Sequence, residues 1–377
     1  MTNTQITKIN LENFRNFKTK SVTFSSNLVL FAGKNGSGKT NLLEALTLFG
    51  KNPNLRGSDM EEMLLINHNN KEKQPRFALS CELENHDFIE KLGLSFDKSN
   101  KKTLIINGEI AKNRKNDDSK DFLPNFIWLT PQLELLLISG KSARRDFLDR
   151  IVCDIDFTHG KRLKDYQKSL RERLLILQKP MNKSQESWLN VVENKISEVG
   201  TAITLARHEA IDFFNQAIDS FESHFPKSKL EIIDDTALVD TGYNAIKIEE
   251  LYQEKLKNNR QKDKESFKTH FGIHRSDFSA TFLDKNSSAN YASTGEQKSI
   301  MLSITLARAK ISNKYKNQPT ILILDEIVSH LDEKKKLDLL DEMKNTGLQC
   351  FFSATTKDLI PDEFLKKGLL EIYEVAE

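Results

Sequence analysis

The run Gly33-Lys34-Asn35-Gly36-Ser37-Gly38-Lys39-Thr40 constrains this 377-residue chain more than any other feature. It satisfies the pattern Gly-x-x-x-x-Gly-Lys-Thr in full, and its flanks supply the context that the pattern needs. Asn27 to Ala32 is a short, mostly apolar run entered from polar residues, which reads as a buried strand. Beyond the loop Leu42, Leu46 and Phe49 recur at helical spacing, so a helix opens there. Glycines let the backbone wrap with its N–H groups turned inward, and the helix aims its positive end at the same point. Phosphates fit such a cradle. Lys39 is expected to reach the β- and γ-phosphates of a nucleotide, and the Thr40 hydroxyl to ligate Mg²⁺.

A second half-site lies far downstream. Pro319-Thr320 opens the apolar run Ile321 to Leu324, which ends in Asp325-Glu326. Asp325 at the carboxyl end of a buried strand is placed to hold Mg²⁺, and Glu326 to polarise an attacking water. A third apolar run, Gln349 to Phe352, follows a break at Gly347. The three runs point to parallel strands of one sheet with helical crossovers, an α/β fold. Lys39 and Asp325 are separated by most of the chain, so something large is inserted between the halves.

Composition sets the outer limits. With 38% hydrophobic and 29% charged residues, the chain is too rich in apolar side chains for disorder and too polar for a membrane-embedded protein. Its apolar runs fall far short of the roughly 20 residues that cross a bilayer. Met1 to Lys20 has no apolar signal-peptide core, and three scattered cysteines, Cys81, Cys153 and Cys350, form neither a metal-spaced pair nor an even disulfide set. A reducing, cytoplasmic setting is the expectation. At about 150 residues per domain, the length accommodates two domains, or one large domain carrying an insertion. The net charge of +2 hides a dipole: Lys161 to Lys183 carries eight Lys/Arg against two acids, and Asp325 to Glu342 seven acids against three Lys. The basic run is either a polyanion-binding face or a solvated helix surface.

The middle of the chain reads as an arm. From Val192 apolar residues fall at Ile196, Val199, Ile203, Ala206, Ala210, Phe214, Ala217 and Phe221, a spacing of threes and fours that makes one long amphipathic helix starting near Ser184. The basic segment Lys161 to Gln178 is a second helix, broken by Pro180, and the two form a helical hairpin. Leu230 to Ile233 resumes strand character, and Glu249 to Lys268 returns to helix. The expected division is a head carrying the phosphate loop in residues 1–150 and 269–377, with a helical arm at 151–268.

Tyr291-Ala292-Ser293-Thr294-Gly295-Glu296-Gln297-Lys298-Ser299 precedes the helical run Ile300 to Lys310. Taken alone, Ser-Thr-Gly is a good helix cap; it is also an anion site in waiting. Its position just upstream of the Asp325-Glu326 strand resembles the signature motif of ABC-type ATPases, with Ser293, Gly295 and Glu296 on matching positions and Thr294 in place of a common glycine. The whole chain then resembles the RecF family, in the SMC/Rad50-like branch of ABC ATPases. The blocks that carry the likeness are Leu11 to Phe17, Asn41 to Ala45, Gly140 to Asp149, His274-Arg275-Ser276-Asp277 and Leu331-Asp332. The insertion is far too short for the coiled coil of SMC or Rad50 proteins.

The resemblance implies an ABC-type P-loop ATPase head with an inserted helical arm. It also implies an ATP- and Mg²⁺-dependent homodimer that clamps DNA, with each ATP between one subunit's loop and the other's Ser293 motif. Duplex and single-stranded/duplex junctions would be the DNA, with RecR and RecO as partners in loading RecA during gap repair, replication and the SOS response. Gln132, after Pro131, stands where the Mg²⁺-contacting glutamine of ABC ATPases would fall. The switch histidine is missing, with Ser353-Ala354-Thr355 in its place, which implies slow hydrolysis. The rival reading is an SMC-like or defence-associated ATPase that bridges macromolecules without a repair role. His270 and His274 lack a third ligand and read as structural. Arg144 and Arg145 either meet DNA phosphates or pair with Asp146 and Asp149.

Overall fold

The computed structural model describes residues 4–50, 54–66, 74–85, 88–99, 101–111, 123–156, 158–220, 222–233, 244–315, 319–366 and 368–376. Phe221, assigned above to the long helix, lies outside them. The chain divides into two compact units, Met1–Glu134 with Ala309–Glu377, and Leu135–Arg308.

The first unit is built on a parallel sheet in the order Leu370–Glu374, Leu28–Ala32, Gln349–Ala354, Thr320–Leu324, Asn125–Leu129. The three apolar runs read from the sequence are its three central strands, adjacent and parallel as expected. In the middle and at one edge the strands are buried on both faces, which is why they read as unbroken apolar runs rather than alternations. Register pairs Ala354 with Ala32, and Leu324 with Leu129, so these strands end along one edge.

An antiparallel sheet completes the unit, in the order Phe17–Thr23, Gln5–Phe14, Arg76–Asn85, Phe88–Asp97, Lys101–Ile106, Glu109–Ile110. One core joins both sheets. Phe24 packs edge-on against Phe31 and Phe351 of the parallel sheet, while Ile9, Leu79 and Leu94 come from the antiparallel one.

In the second unit the arm helices run His159–Leu177 and Lys183–Ser220, close to the boundaries expected on either side of Pro180. The charged stretch beyond them is two helices, Ala245–Asn258 and Arg260–Ser266, broken at Asn259. Tyr252 presses on the long helix at Gly200, where any Cβ would lie 2.7 Å from the ring, and its hydroxyl accepts from the Ile273 N–H at 2.9 Å.

The unit is wider than the 151–268 segment read as the arm. Helix Lys141–Cys153 and the antiparallel strands Ser228–Ile233, Asp277–Phe282 and Ser287–Ser288 belong to it, with Phe147 against Phe278. Charged contacts explain that extension and correct the reading of Arg144 and Arg145. Arg144 grips Asp277 with two N–H donors, one at 2.8 Å from Nε to Oδ1 and one at 2.6 Å from Nη2 to Oδ2. Arg145 donates to the Ser276 carbonyl, and Asp149 is held by Arg207 and His159. Burial pushes the Asp149 carboxyl up, but its bonds to His159 and Arg207 outweigh that and hold it low. The Gly140–Asp149 and His274–Asp277 blocks are thus one latch. His270 pairs with Asp263, and burial lowers His274, whose Nε2 lies 2.8 Å from the Thr269 carbonyl oxygen. Among the described residues no three His, Cys, Asp or Glu side chains gather as a metal cluster.

Arg173 sits at the centre of the arm, fully buried, donating to Glu193, Asp263, Thr269 and the Leu256 carbonyl. Removing one member of such a network strands the others. Arg173→Ala is expected to cost about 3–5 kcal/mol in urea denaturation followed by far-UV circular dichroism, whereas Arg171→Ala, on the exposed face, should stay within about 0.5 kcal/mol.

Candidate nucleotide site

The loop leaves the carboxyl end of Leu28–Ala32, the place where open parallel sheets take ligands. Gly38 has φ +104°, and a Cβ there would lie 2.6 Å from Phe17 and 2.7 Å from Asn16, so glycine is required. No side chain caps the helix Lys39–Thr47, which leaves its first N–H groups free for an anion. Lys34, Asn35 and Gly36 are exposed. Lys39 is buried, its ammonium resting on the carbonyls of Gly33 at 2.7 Å and Lys34 at 3.0 Å. The Ser37 hydroxyl is buried with no hydrogen-bond partner. A phosphate chain would satisfy that orphan and give Lys39 better acceptors than neutral carbonyls, so the loop fits the triphosphate of ATP.

Asp325 follows the strand Thr320–Leu324, two places along the sheet from Leu28–Ala32 with Gln349–Ala354 between them. Its carboxylate accepts from Thr40 Oγ1, with distances of 3.2 Å to Oδ1 and 3.0 Å to Oδ2, and from Ser353 Oγ at 2.6 Å. Thr40 and Asp325 thus bring a hydroxyl and a carboxylate side by side, the hard oxygen donors that would hold Mg²⁺. Glu326 adopts φ +58°, a left-handed conformation costly for a residue with a side chain, and its N–H donates to Ser353 Oγ at 2.8 Å. Ser353 thus orients both acidic residues. Gln132, exposed in the short helix Pro131–Glu134, lies just beyond the strand that pairs in register with the Asp325 strand.

The sequence reading missed the clamp behind the loop. In the two-residue turn between Phe14 and Phe17, Asn16 donates to the Ser37 carbonyl at 3.2 Å, and Arg15 makes two 2.8 Å bonds to the fully buried Glu44 carboxylate. Arg15, Asn16 and Glu44 lie within the Leu11–Phe17 and Asn41–Ala45 blocks and Ser37 in the loop itself; only their mutual contact was invisible.

Ser293, Gly295 and Glu296 belong to the second unit. Glu296 Oε2 accepts from the Ser293 N–H at 2.8 Å and its hydroxyl at 2.9 Å, a capping box at the start of helix Thr294–Tyr315. The Lys285 ammonium beside it, then the Ser293 donors, hold the Glu296 carboxyl down at about 2. Ser293, Thr294 and Gly295 remain exposed, and Tyr291 is 90% exposed.

The RecF/RecN/SMC N terminal domain family matches residues 5–367. The DNA replication and repair protein RecF of Rickettsia typhi is 35% identical over 376 residues, covering 99% of this chain and 100% of the relative. This chain belongs to the RecF family of ABC-type ATPases. RecF of Rickettsia felis is 32% identical, covering 99% of each chain. Among solved structures, the recombination mediator protein RecF-ATP of the RecFOR pathway is 25% identical, with a TM-score of 0.81 over 95% of this chain and 94% of that one. The Smc head domain from Pyrococcus furiosus, at 16% identity, covers 95% of this chain and 91% of that one with a TM-score of 0.53, a likeness of fold alone. No helix among the described residues is long and apolar enough to cross a membrane.

Proposed function

We propose that this RecF-family chain is a nucleotide-gated DNA clamp of recombinational gap repair. The observation that carries the reading is the convergence of Lys39, Thr40, Asp325 and Ser353 at one sheet edge, in a chain that matches RecF relatives from end to end. ATP lies in the loop from Gly33 to Thr40. Mg²⁺, when bound, neutralises charge on the phosphates; Thr40 and Asp325 hold it, with Gln132 within the same edge. Glu326 accepts a proton from the attacking water.

Hydrolysis is slow in this reading. Where a histidine would supply a titratable ring, Ser353 is already committed as donor to Asp325 and acceptor from Glu326. Two subunits close on two ATP molecules, with the exposed Ser293 and Gly295 of each completing the other's site, and the closed pair retains duplex or junction DNA. RecO and RecR are the partners, with RecA loading, replication and SOS induction as the setting, in the cytoplasm. In functional terms the head is read as residues 1–150 and 269–377 and the arm as 151–268, a division that cuts across the second compact unit, Leu135–Arg308.

Sedimentation with and without ATP and DNA tests the cycle. Glu326→Gln should keep its ATP affinity, lose about 100-fold or more in turnover by the range for general-base removal, and stay dimeric on DNA. Turnover at the parent rate would remove Glu326 from the mechanism.

A further inference from the structure

The dipeptide Asn-Gly occurs twice in the chain, at Asn35-Gly36 in the phosphate loop and at Asn107-Gly108. Such a pair is intrinsically reactive, because glycine has no side chain to keep its backbone nitrogen away from the amide carbon of the preceding asparagine. What holds the asparagine decides whether the two meet.

Asn107-Gly108 is held. It makes the two-residue turn between the paired Ile106 and Glu109, with φ +50° and +87°, the left-handed pair for which Asn-Gly is selected in hairpins. Asn107 Oδ1 accepts from the Lys91 N–H at 2.8 Å, its Nδ2 donates to Glu90, and its own N–H donates to the Lys91 carbonyl at 2.8 Å. Both ends of that side-chain amide are tied.

Asn35 has no such ties. It is exposed, and among the described residues neither its side chain nor the Gly36 N–H takes part in a hydrogen bond. Gly36 has φ +88°, and a Cβ built there would meet nothing within 4 Å, so the surroundings of the pair are open. The next residues differ: Ser37 is buried and Gly38 is wedged against Asn16 and Phe17.

We propose that Asn35 is a site of spontaneous deamidation, that bound nucleotide shields it, and that the product binds ATP weakly. The Gly36 nitrogen attacks Asn35 Cγ. An N–Cγ bond forms, the Cγ–Nδ2 bond breaks, and ammonia leaves with the proton of the attacking nitrogen. Water then opens the cyclic imide at one of its two carbonyls, giving aspartate or an isoaspartate whose main chain runs through the former side chain. A triphosphate in the loop draws the backbone N–H groups onto its oxygens, and a nitrogen engaged as a donor is not free to attack. The shielding rests on the nucleotide reading of the loop; the reaction does not. Aspartate would set a negative charge beside the phosphates, and isoaspartate would add a backbone carbon that shifts the N–H groups of the cradle.

The test ages the full-length protein with and without a non-hydrolysable ATP analogue, beside synthetic peptides spanning each pair, and follows conversion of amide to acid by peptide mass spectrometry. The two peptides should convert at similar rates. In the protein without nucleotide, Asn35 should convert at least about tenfold faster than Asn107, as two ordinary hydrogen bonds on the Asn107 amide imply. Saturating analogue should slow Asn35 at least about tenfold, in line with the small fraction of protein left unliganded. By calorimetry, Asn35→Asp should bind ATP about tenfold more weakly than the parent, through like-charge repulsion. Asn35→Ser, which lacks the amide, should hold its own ATP affinity constant with age while that of the parent declines. Equal conversion of Asn35 and Asn107, undiminished conversion of Asn35 in protein that calorimetry shows to be saturated, or Asn35→Asp at parent affinity overturns the proposal. If fresh protein binds no ATP while Asn35 converts and Asn107 does not, the nucleotide reading of the loop falls together with the shielding, and the labile amide stands.

Discussion

Lys39→Ala is expected to lower ATP affinity at least about 100-fold while leaving the fold intact. A hydrogen bond to a charged group contributes about 1.5–3 kcal/mol, and the ammonium can make two to a triphosphate, so the lost interaction is about 3 kcal/mol or more. Structure gives little reason for collapse. Lys39 contacts the loop's own carbonyls through its charged end, and those carbonyls can turn to water when it is gone. Calorimetric titration of ATP should show the loss, and the thermal midpoint without nucleotide should move by no more than a few degrees. Affinity within threefold of the parent would remove the loop from nucleotide binding. Retained affinity with lost DNA retention would place Lys39 in closure rather than in binding.

What the sequence revealed about this site follows from how local each signal is. The loop, its strand and its helix are contiguous, so spacing alone carries them. The parallel strands were visible because burial on both faces makes them unbroken apolar runs, as in Ile321 to Leu324. The antiparallel sheet was overlooked although most of it alternates. Phe77, Leu79, Cys81 and Leu83, and Leu92, Leu94 and Phe96, are buried at a period of two. Only in Gln5–Phe14 does a register shift between Ile6 and Lys8 put Ile6 out of step with Ile9 and Leu11. The clamp of Asn16 on Ser37 and Arg15 on Glu44 depends on a turn meeting a helix that is distant in sequence. No period or spacing encodes that contact.

The charge pairs illustrate the same limit. Arg144 has Asp146 and Asp149 within a helical turn or two, and local reasoning pairs them. The structure instead gives Arg144 to Asp277 and Asp149 to Arg207. Surface ion pairs are weak, whereas a pair closed between buried elements removes two otherwise unpaired charges at once. The tertiary partner therefore wins wherever the helix face is covered.

Mixing two inactive variants is expected to restore function, and this outcome separates a site shared between subunits from one completed within a chain. Ser293→Arg leaves the loop from Gly33 to Thr40 untouched, so each monomer should bind ATP as the parent does. It should nonetheless fail to dimerise on ATP, because a long cation fills the space that a second subunit's nucleotide must approach. The substitution also removes a cap hydroxyl, at about 1 kcal/mol; Ser293→Ala, which loses the cap without adding bulk, measures that contribution separately. Lys39→Ala has the complementary defect: an intact motif and a dead loop. In a heterodimer of the two, the loop of the Ser293→Arg subunit meets the unaltered motif of its partner, and one composite site is whole. The mixture should recover a substantial part of ATP-dependent DNA retention by sedimentation, where either variant alone retains almost none. If the site were completed in one chain, neither subunit would own an intact loop and motif together, and the mixture would stay inactive. Inactive heterodimers, shown by differential tagging to have formed, would therefore overturn assembly in trans while leaving the loop chemistry of Lys39 and Thr40 standing.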